Sequence, residues 1–247
     1  MNPIYIIPGT MAICSGILAY GVFEPNSFLF GRAIGRGSKR NSYLYLTFDD
    51  GPNPTATEFI LNILDKFSVP AAFFMVGKNV ATFPSLAREV ASSGQEIGNH
   101  TYRHKKLHFR GENFIRQEIL ETHELITKTT GIVPRMFRAP HGYRNFWVNK
   151  IAKELGYSTF GWTFGVWDTA LPGSEVIRAR VRRRLKPGAI ILLHDGDGLN
   201  PLADRTETAR ALEGIIRDAQ EDGYQFKPLR ELMRGVPAEN GSLQVAI

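Results

Sequence analysis

Strand-like and helix-like runs alternate along almost the whole of this chain, and that alternation constrains its fold more than any other property. Strand-like runs fall at 43–48, 71–76, 95–99, 157–163, 189–194 and 224–227, and helix-like runs at 55–67, 84–93, 111–130, 145–155, 174–185 and 204–222. Such βα units imply a parallel sheet covered by helices. Charged groups gather where the strand-like runs stop, which points to a barrel with its site at the C-terminal ends of the strands. With 247 residues, 43% of them hydrophobic, the chain can bury the core of one α/β unit, and no internal repeat or low-complexity tract argues for a second. Phe73, Phe74, Val76, Ile190, Ile191 and Leu192 read as core strand residues.

The run Tyr43-Leu44-Tyr45-Leu46 leads into Thr47-Phe48-Asp49-Asp50-Gly51-Pro52. A strand that meets two carboxylates and then Gly-Pro cannot continue its ladder, so Asp49 and Asp50 fall at its mouth. Adjacent like charges are costly unless their roles differ, as when one binds a cation and the other moves protons. On these residues alone an ordinary solvated turn is the simpler reading. Fifty residues on, Gln95 to Ile97 leads into Gly98-Asn99-His100-Thr101-Tyr102-Arg103-His104, with two imidazoles four residues apart. They could share one ion, or form part of a basic loop with Lys105, Lys106 and His108. Joined with Asp50, ligation becomes the better reading.

Two further segments place polar groups after apolar runs: Arg138-Ala139-Pro140-His141-Gly142, and Ala189-Ile190-Ile191-Leu192-Leu193-His194-Asp195. In content, order and spacing the four segments resemble the NodB-type polysaccharide deacetylases, carbohydrate esterase family four, over about residues 41–234. The resemblance implies a distorted, incompletely closed (β/α) barrel. It also implies Asp49 as catalytic base, Asp50, His100 and His104 as metal ligands, Arg138 as the tether of Asp49, and His194 as general acid. Pro140, Leu192 and the backbone N–H of His141 fall to the substrate and oxyanion side of the site.

The chain departs from the family in two places. Aligning Trp162-Thr163-Phe164-Gly165-Val166-Trp167-Asp168-Thr169 on the family's Asp-x-x-Asp-Trp element matches Asp168, which would polarise His194, but puts Gly165 at the first Asp and Thr169 at the Trp. Trp167 or Trp162 would then have to supply the pocket wall. His141 stands where the family commonly has Tyr.

The implied activity is metal-dependent removal of N-acetyl groups from amino sugars of a glycan: a chitooligosaccharide, peptidoglycan or a lipid-linked saccharide. Zinc is the chemical default for two imidazoles and a carboxylate, and Co, Mn or Ni suit the same ligands. The altered fourth element keeps open an O-acetyl esterase or a lipid-linked sugar deformylase. A non-enzyme alternative is a membrane-tethered carbohydrate-binding module.

From Pro3 to Phe23 there is no charged residue, and Arg32, Arg36, Lys39 and Arg40 follow. This reads as a retained membrane anchor with a linker over residues 1–40, ahead of a catalytic domain at 41–234 and a tail at 235–247. The charge asymmetry favours a cytoplasmic catalytic domain, with an extracytoplasmic one as the alternative. A helix packed on the barrel is the other reading of the apolar segment. Cys14 is the sole cysteine, so no intramolecular disulfide forms and the redox compartment is not revealed. Arg178, Arg180, Arg182, Arg183 and Arg184 contribute much of the net charge of +6 and read as a solvated helix face or a contact for anionic headgroups or an anionic glycan. No motif supports a nucleic-acid partner, and oligomeric state is not readable.

Overall fold

Alternation along the central strand explains how the molecule is layered. In β1 (Tyr43–Asp49), Leu44, Leu46 and Phe48 join the core beneath the helices, while Tyr45 joins a separate cluster with Phe74, Phe160 and Ile190. With a period of two, Thr47 and Asp49 share the Tyr45 face, the interior of a curled sheet. The computed structural model describes residues 3–233.

After α1 (Pro3–Phe23) and β1 come α2 (Thr57–Phe67), β2 (Ala71–Met75), α3 (Gly77–Thr82), α4 (Pro84–Ser92), β3 (Glu96–Asn99), α5 (Glu112–Thr130) and β4 (Met136–Phe137). The chain continues through α6 (Phe146–Glu154), β5 (Ser158–Thr159), β6 (Phe164–Gly165), α7 (Ser174–Arg182), β7 (Ala189–His194), α8 (Thr206–Glu221) and β8 (Gln225–Phe226). The strands pair in parallel in the order β5-β4-β3-β2-β1-β7-β6, and β8 pairs the start of β1. The result is a curled parallel sheet jacketed by helices, an incompletely closed (β/α) barrel.

The jacket forms because its helices carry apolar residues at helical spacing. α8 buries Leu212, Ile215, Ile216 and Ala219, and α2 buries Ile60, Leu61, Ile63 and Leu64 against the same core. Each such aliphatic side chain contributes roughly 1.5–3 kcal/mol when fully buried. α6 starts where Asn145 accepts hydrogen bonds from the N–H groups of Trp147 and Val148, and α5 stops at Gly131, whose φ of 74° suits glycine.

Residues 24–42, expected as a linker, are tied to the sheet. Ile34 bridges Phe160, Arg36 bridges Ala189, and the Arg36 guanidinium donates to the Pro187 carbonyl at 2.8 Å. The arginine-rich stretch is also committed: Arg178 and Arg182 pair with Asp218 of α8 at 2.8 and 3.2 Å, while Arg180 and Arg184 donate to the Val166 and Gly165 carbonyls. Among the described residues no helix is long and apolar enough to cross a membrane. The side chains of residues 3–12 and the expected tail at 235–247 lie outside the described part of the molecule.

Candidate metal centre and active site

Parallel register brings the sequence segments together. Asp49 at the end of β1 pairs with His194 at the end of β7. On β7, Ile190 faces the interior and Ile191 and Leu193 the helices, so His194 shares the inner face with Asp49. β3 delivers His100 directly after its last residue, and the loop beyond it delivers His104. Asp50, Thr101, His104, His141 and Trp167 all have positive φ, at 76°, 67°, 50°, 58° and 57°. Non-glycine residues in this region are strained by about 1–3 kcal/mol each; Asp50, Thr101 and His104 are buried in that conformation, while His141 and Trp167 remain exposed.

Asp50, His100 and His104 are buried, and one potential ligand atom from each lies within 4.8 Å of the other two. Nε2 of His104 is 3.0 Å and Nε2 of His100 is 3.5 Å from Oδ1 of Asp50. The Nδ1–H of His100 donates to the Arg138 carbonyl at 2.8 Å, because that oxygen can only accept, which leaves the Nε2 lone pair facing the carboxylate. Oδ1 of Asp50 is buried without a hydrogen-bond partner among the described residues. Three lone-pair donors converging on one point, one of them an orphaned anion, suit a divalent cation.

Electrostatics agree with that assignment. Burial, with the neighbouring His104, pushes His100 down to about 4 despite Asp49, so its imidazole is neutral at physiological pH. Burial alone would raise the Asp50 carboxyl, but the charges that His104 and His100 carry when protonated outweigh it and hold it below the ordinary carboxylate range; Asp50 in turn raises His104 against its burial, so a cation bound there would have to displace a proton from that imidazole.

Two polar assemblies flank the triad. Oδ1 of Asp49 accepts from Arg138 at 2.6 Å, and Oδ2 lies 3.6 Å from Nε2 of His100. Arg138 is fully buried; it also donates to Thr47 Oγ1 at 3.0 Å and the Gly161 carbonyl at 2.9 Å, and lies over the Phe74 ring at 4.1 Å. Beside Asp49 on the adjoining strand, His194 Nδ1 is 3.0 Å from Oδ1 of Asp168, whose Oδ2 accepts from the His194 backbone N–H at 2.8 Å and from Thr208 Oγ1 at 3.1 Å. Burial would lower the His194 imidazole, but Asp168, with Asp50 and Asp49 behind it, raises it to about 9. His194 is therefore an imidazolium at neutral pH, with Nδ1–H on Asp168 and Nε2–H left for another acceptor.

These groups open into a cavity of about 620 Å³. His141, Leu192 and Trp167 line it, whereas Pro140, grouped with them from the sequence, is buried and is not part of the lining. Trp162 and Thr169 also line it, and Trp167 stands 73% exposed at the rim. Sequence reasoning passed over several supporting residues. Thr47 was recoverable, two positions before Asp49 on the same face. Thr208, and Asn79, which donates to the Asp50 carbonyl at 2.7 Å, carried no local signal. Asp195 accepts from Thr57 at 2.6 Å, and burial raises its carboxyl to about 7.

Residues 36–160 match the family model described as polysaccharide deacetylase. A peptidoglycan-N-acetylglucosamine deacetylase of Bacillus cereus is 39% identical over 191 residues, covering 76% of this chain and 87% of the relative. The chain belongs to the polysaccharide deacetylase family. A chitooligosaccharide deacetylase of a Bradyrhizobium species is 35% identical, covering 76% of this chain and 90% of its own length. Among solved structures, a carbohydrate esterase family four pseudoenzyme from Bacillus anthracis superposes with a TM-score of 0.74 at 30% identity, over 81% of this chain and 70% of that one. Polysaccharide deacetylase folds thus include both enzymes and a pseudoenzyme, so the chemistry of this chain rests on its own side chains.

Proposed function

We propose that the protein hydrolyses the N-acetyl group of an amino sugar in a glycan, releasing acetate and a free amine. The observation that carries this reading is the register of Asp49 with His194, which sets a carboxylate and an imidazolium side by side next to the Asp50–His100–His104 triad. The names of the relatives support the substrate class. Asp50, His100 and His104 would hold a divalent cation, zinc by default, which would supply Lewis acidity to the reaction.

The protein's own groups do the rest. Asp49, oriented by Arg138 and Thr47, takes a proton from the water as its oxygen attacks the carbonyl carbon. The backbone N–H of His141 stabilises the oxyanion. His194, kept protonated by Asp168, donates from Nε2 to the nitrogen as the C–N bond breaks, so that a neutral amine leaves. Leu192, Trp167 and Trp162 wall the acyl and sugar subsites.

The test is acetate release from acetylated chitooligosaccharides by the purified protein, with and without a chelator. Metal-dependent acetate is expected, and its absence from chitooligosaccharides and peptidoglycan alike refutes the reading. Gly165 and Thr169, standing where the family element has Asp and Trp, favour a second reading in which the acyl group is an O-acetyl ester or an N-formyl group. Release of acetate only from acetylated xylan, or of formate from a lipid-linked sugar, would select it. We also propose membrane association through the N-terminal segment, with residues 41–234 as the catalytic domain. Its side of the membrane is testable by assaying sealed vesicles before and after permeabilisation.

A further inference from the structure

α1 contains no Asp, Glu, Lys or Arg. Residues 13–20 are exposed without exception, just over two turns of helix, so along that stretch no face packs on the rest of the chain. Ile13, Ile17 and Leu18 are 64%, 51% and 55% exposed. A helix that is apolar all round normally lies within a core or within lipid.

The end of this helix is held firmly. The buried guanidinium of Arg144 donates to the carbonyls of Ser27 and Gly31 at 2.7 and 3.0 Å, and its backbone N–H donates to the Val22 carbonyl. The Phe23 ring meets Tyr143 and His108 edge-on at 5.1 and 5.6 Å. Around this base stand three exposed aromatic rings. Phe28 follows within five residues of the helix, Phe109 packs on His108 at 4.0 Å between ring centroids, and Phe146 opens α6. A groove of about 1060 Å³ between residues 29–38 and α6 is lined by Phe146 together with Arg32, Arg36, Lys150 and Lys153, against one acid, Glu231. Arg32 and Lys153 have no acidic partner among the described residues, and Lys150 has only Glu154 at 3.7 Å. The buried Oδ1 of Asn149, in the same groove, lacks a hydrogen-bond partner among them.

An uncharged helix whose base carries aromatic rings and cations matches the layering of a lipid interface: apolar phase, ring-rich boundary, anionic headgroups. We propose that the base of α1 is a docking surface for an anionic phospholipid bilayer. α1 enters the apolar phase without needing to cross it, Phe28, Phe109 and Phe146 lie at headgroup level, and Arg32, Lys150 and Lys153 meet lipid phosphates. The proposal does not depend on the hydrolytic reading.

The experiment is co-sedimentation of the full chain with vesicles of phosphatidylcholine alone or mixed with phosphatidylglycerol, at low and high salt. Stronger partitioning into the mixed vesicles is expected, with the difference shrinking as salt rises. The triple variant R32E/K150E/K153E should lose about 100-fold in partitioning to mixed vesicles, at roughly 1 kcal/mol per cation, and nothing to neutral ones. R32E and K153E alone, about fivefold each, replace it if its thermal unfolding transition is lost. F28S/F109S/F146S should weaken binding to both vesicle types. Equal partitioning of the wild type into neutral and anionic vesicles, or charge reversals without effect, would overturn the proposal. So would an absence of vesicle binding with dimerisation through α1 in its place, which would make the occupant a second copy.

Discussion

The two oxygens of Asp49 occupy different surroundings: Oδ1 is held by Arg138 at 2.6 Å, and Oδ2 faces the triad 3.6 Å from His100. D49N keeps the shape and the ligands but removes the proposed proton acceptor. It is expected to retain stoichiometric metal, measured by elemental analysis, while kcat falls about 10²–10⁴-fold. D50A, H100A and H104A should each lose the ion instead. His194 gives a pH signature. Its value, raised to about 9 in the metal-free chain, means the proton needed by the leaving nitrogen is present at neutral pH and lost on the alkaline side, so kcat should decline there, below 9 to the extent that a cation at Asp50 offsets that carboxylate's charge. D168N removes the charge that outweighs burial, so the same limb should move to lower pH, as a kcat–pH profile would record. An unmoved limb would remove Asp168 as the partner that keeps His194 protonated. At this scale the sequence was most informative: each triad residue sits beside a strand end that could be read from apolar runs. Thr208 was not legible, because its partner Asp168 lies 40 residues away and a lone helix threonine has many ordinary uses.

Among elements, the loop after β7 is pinned so that it supports the triad. Arg205 donates to the Gly196 carbonyl at 2.7 Å and pairs with Asp197 at 2.9 Å, which presses Gly198 against the His104 imidazole. A Cβ at position 198 would overlap that ring. G198A is therefore expected to weaken metal affinity about 10–100-fold, measured by competition with a chelator, with little change in the thermal unfolding of the metal-free protein. Long elements such as β1, β7, α5 and α8 were legible because each spans enough residues to show a period. β5 lies inside the run read at 157–163, whereas β4 and β6, of two residues each, and the six-residue α3 were not legible, since their conformation is set by neighbours such as Gly98 opposite Met136. Residues 24–42 read as a linker for a related reason: their bonds run to carbonyls and strand ends more than 100 positions away, which leaves no local pattern.

For the molecule as a whole, a cation held as proposed would link metal to fold. The triad joins the ends of β1 and β3, so a cation that binds only the folded chain stabilises it by mass action. At a free concentration 100 times Kd this amounts to about 2.7 kcal/mol, or roughly 5–10 °C in Tm for a chain of this size. Differential scanning with and without a chelator measures it, and an unchanged Tm would show that the ion contributes nothing to folding. The barrel class and the site's place at its mouth were both visible in the alternation of elements. The holding of the segment after α1 by the Arg144 guanidinium was not, because an arginine that satisfies backbone carbonyls looks, in sequence, like any surface cation.

Asp49 and His194 stand side by side on two paired strands, whereas Trp167, Leu199 and Tyr143 come from loops around the cavity. The spacing of the two ionisable groups is thus a property of the ladder, insulated from drift at the rim. Descendants of this chain could exchange one sugar for another by remodelling those loops while the pair stays in step.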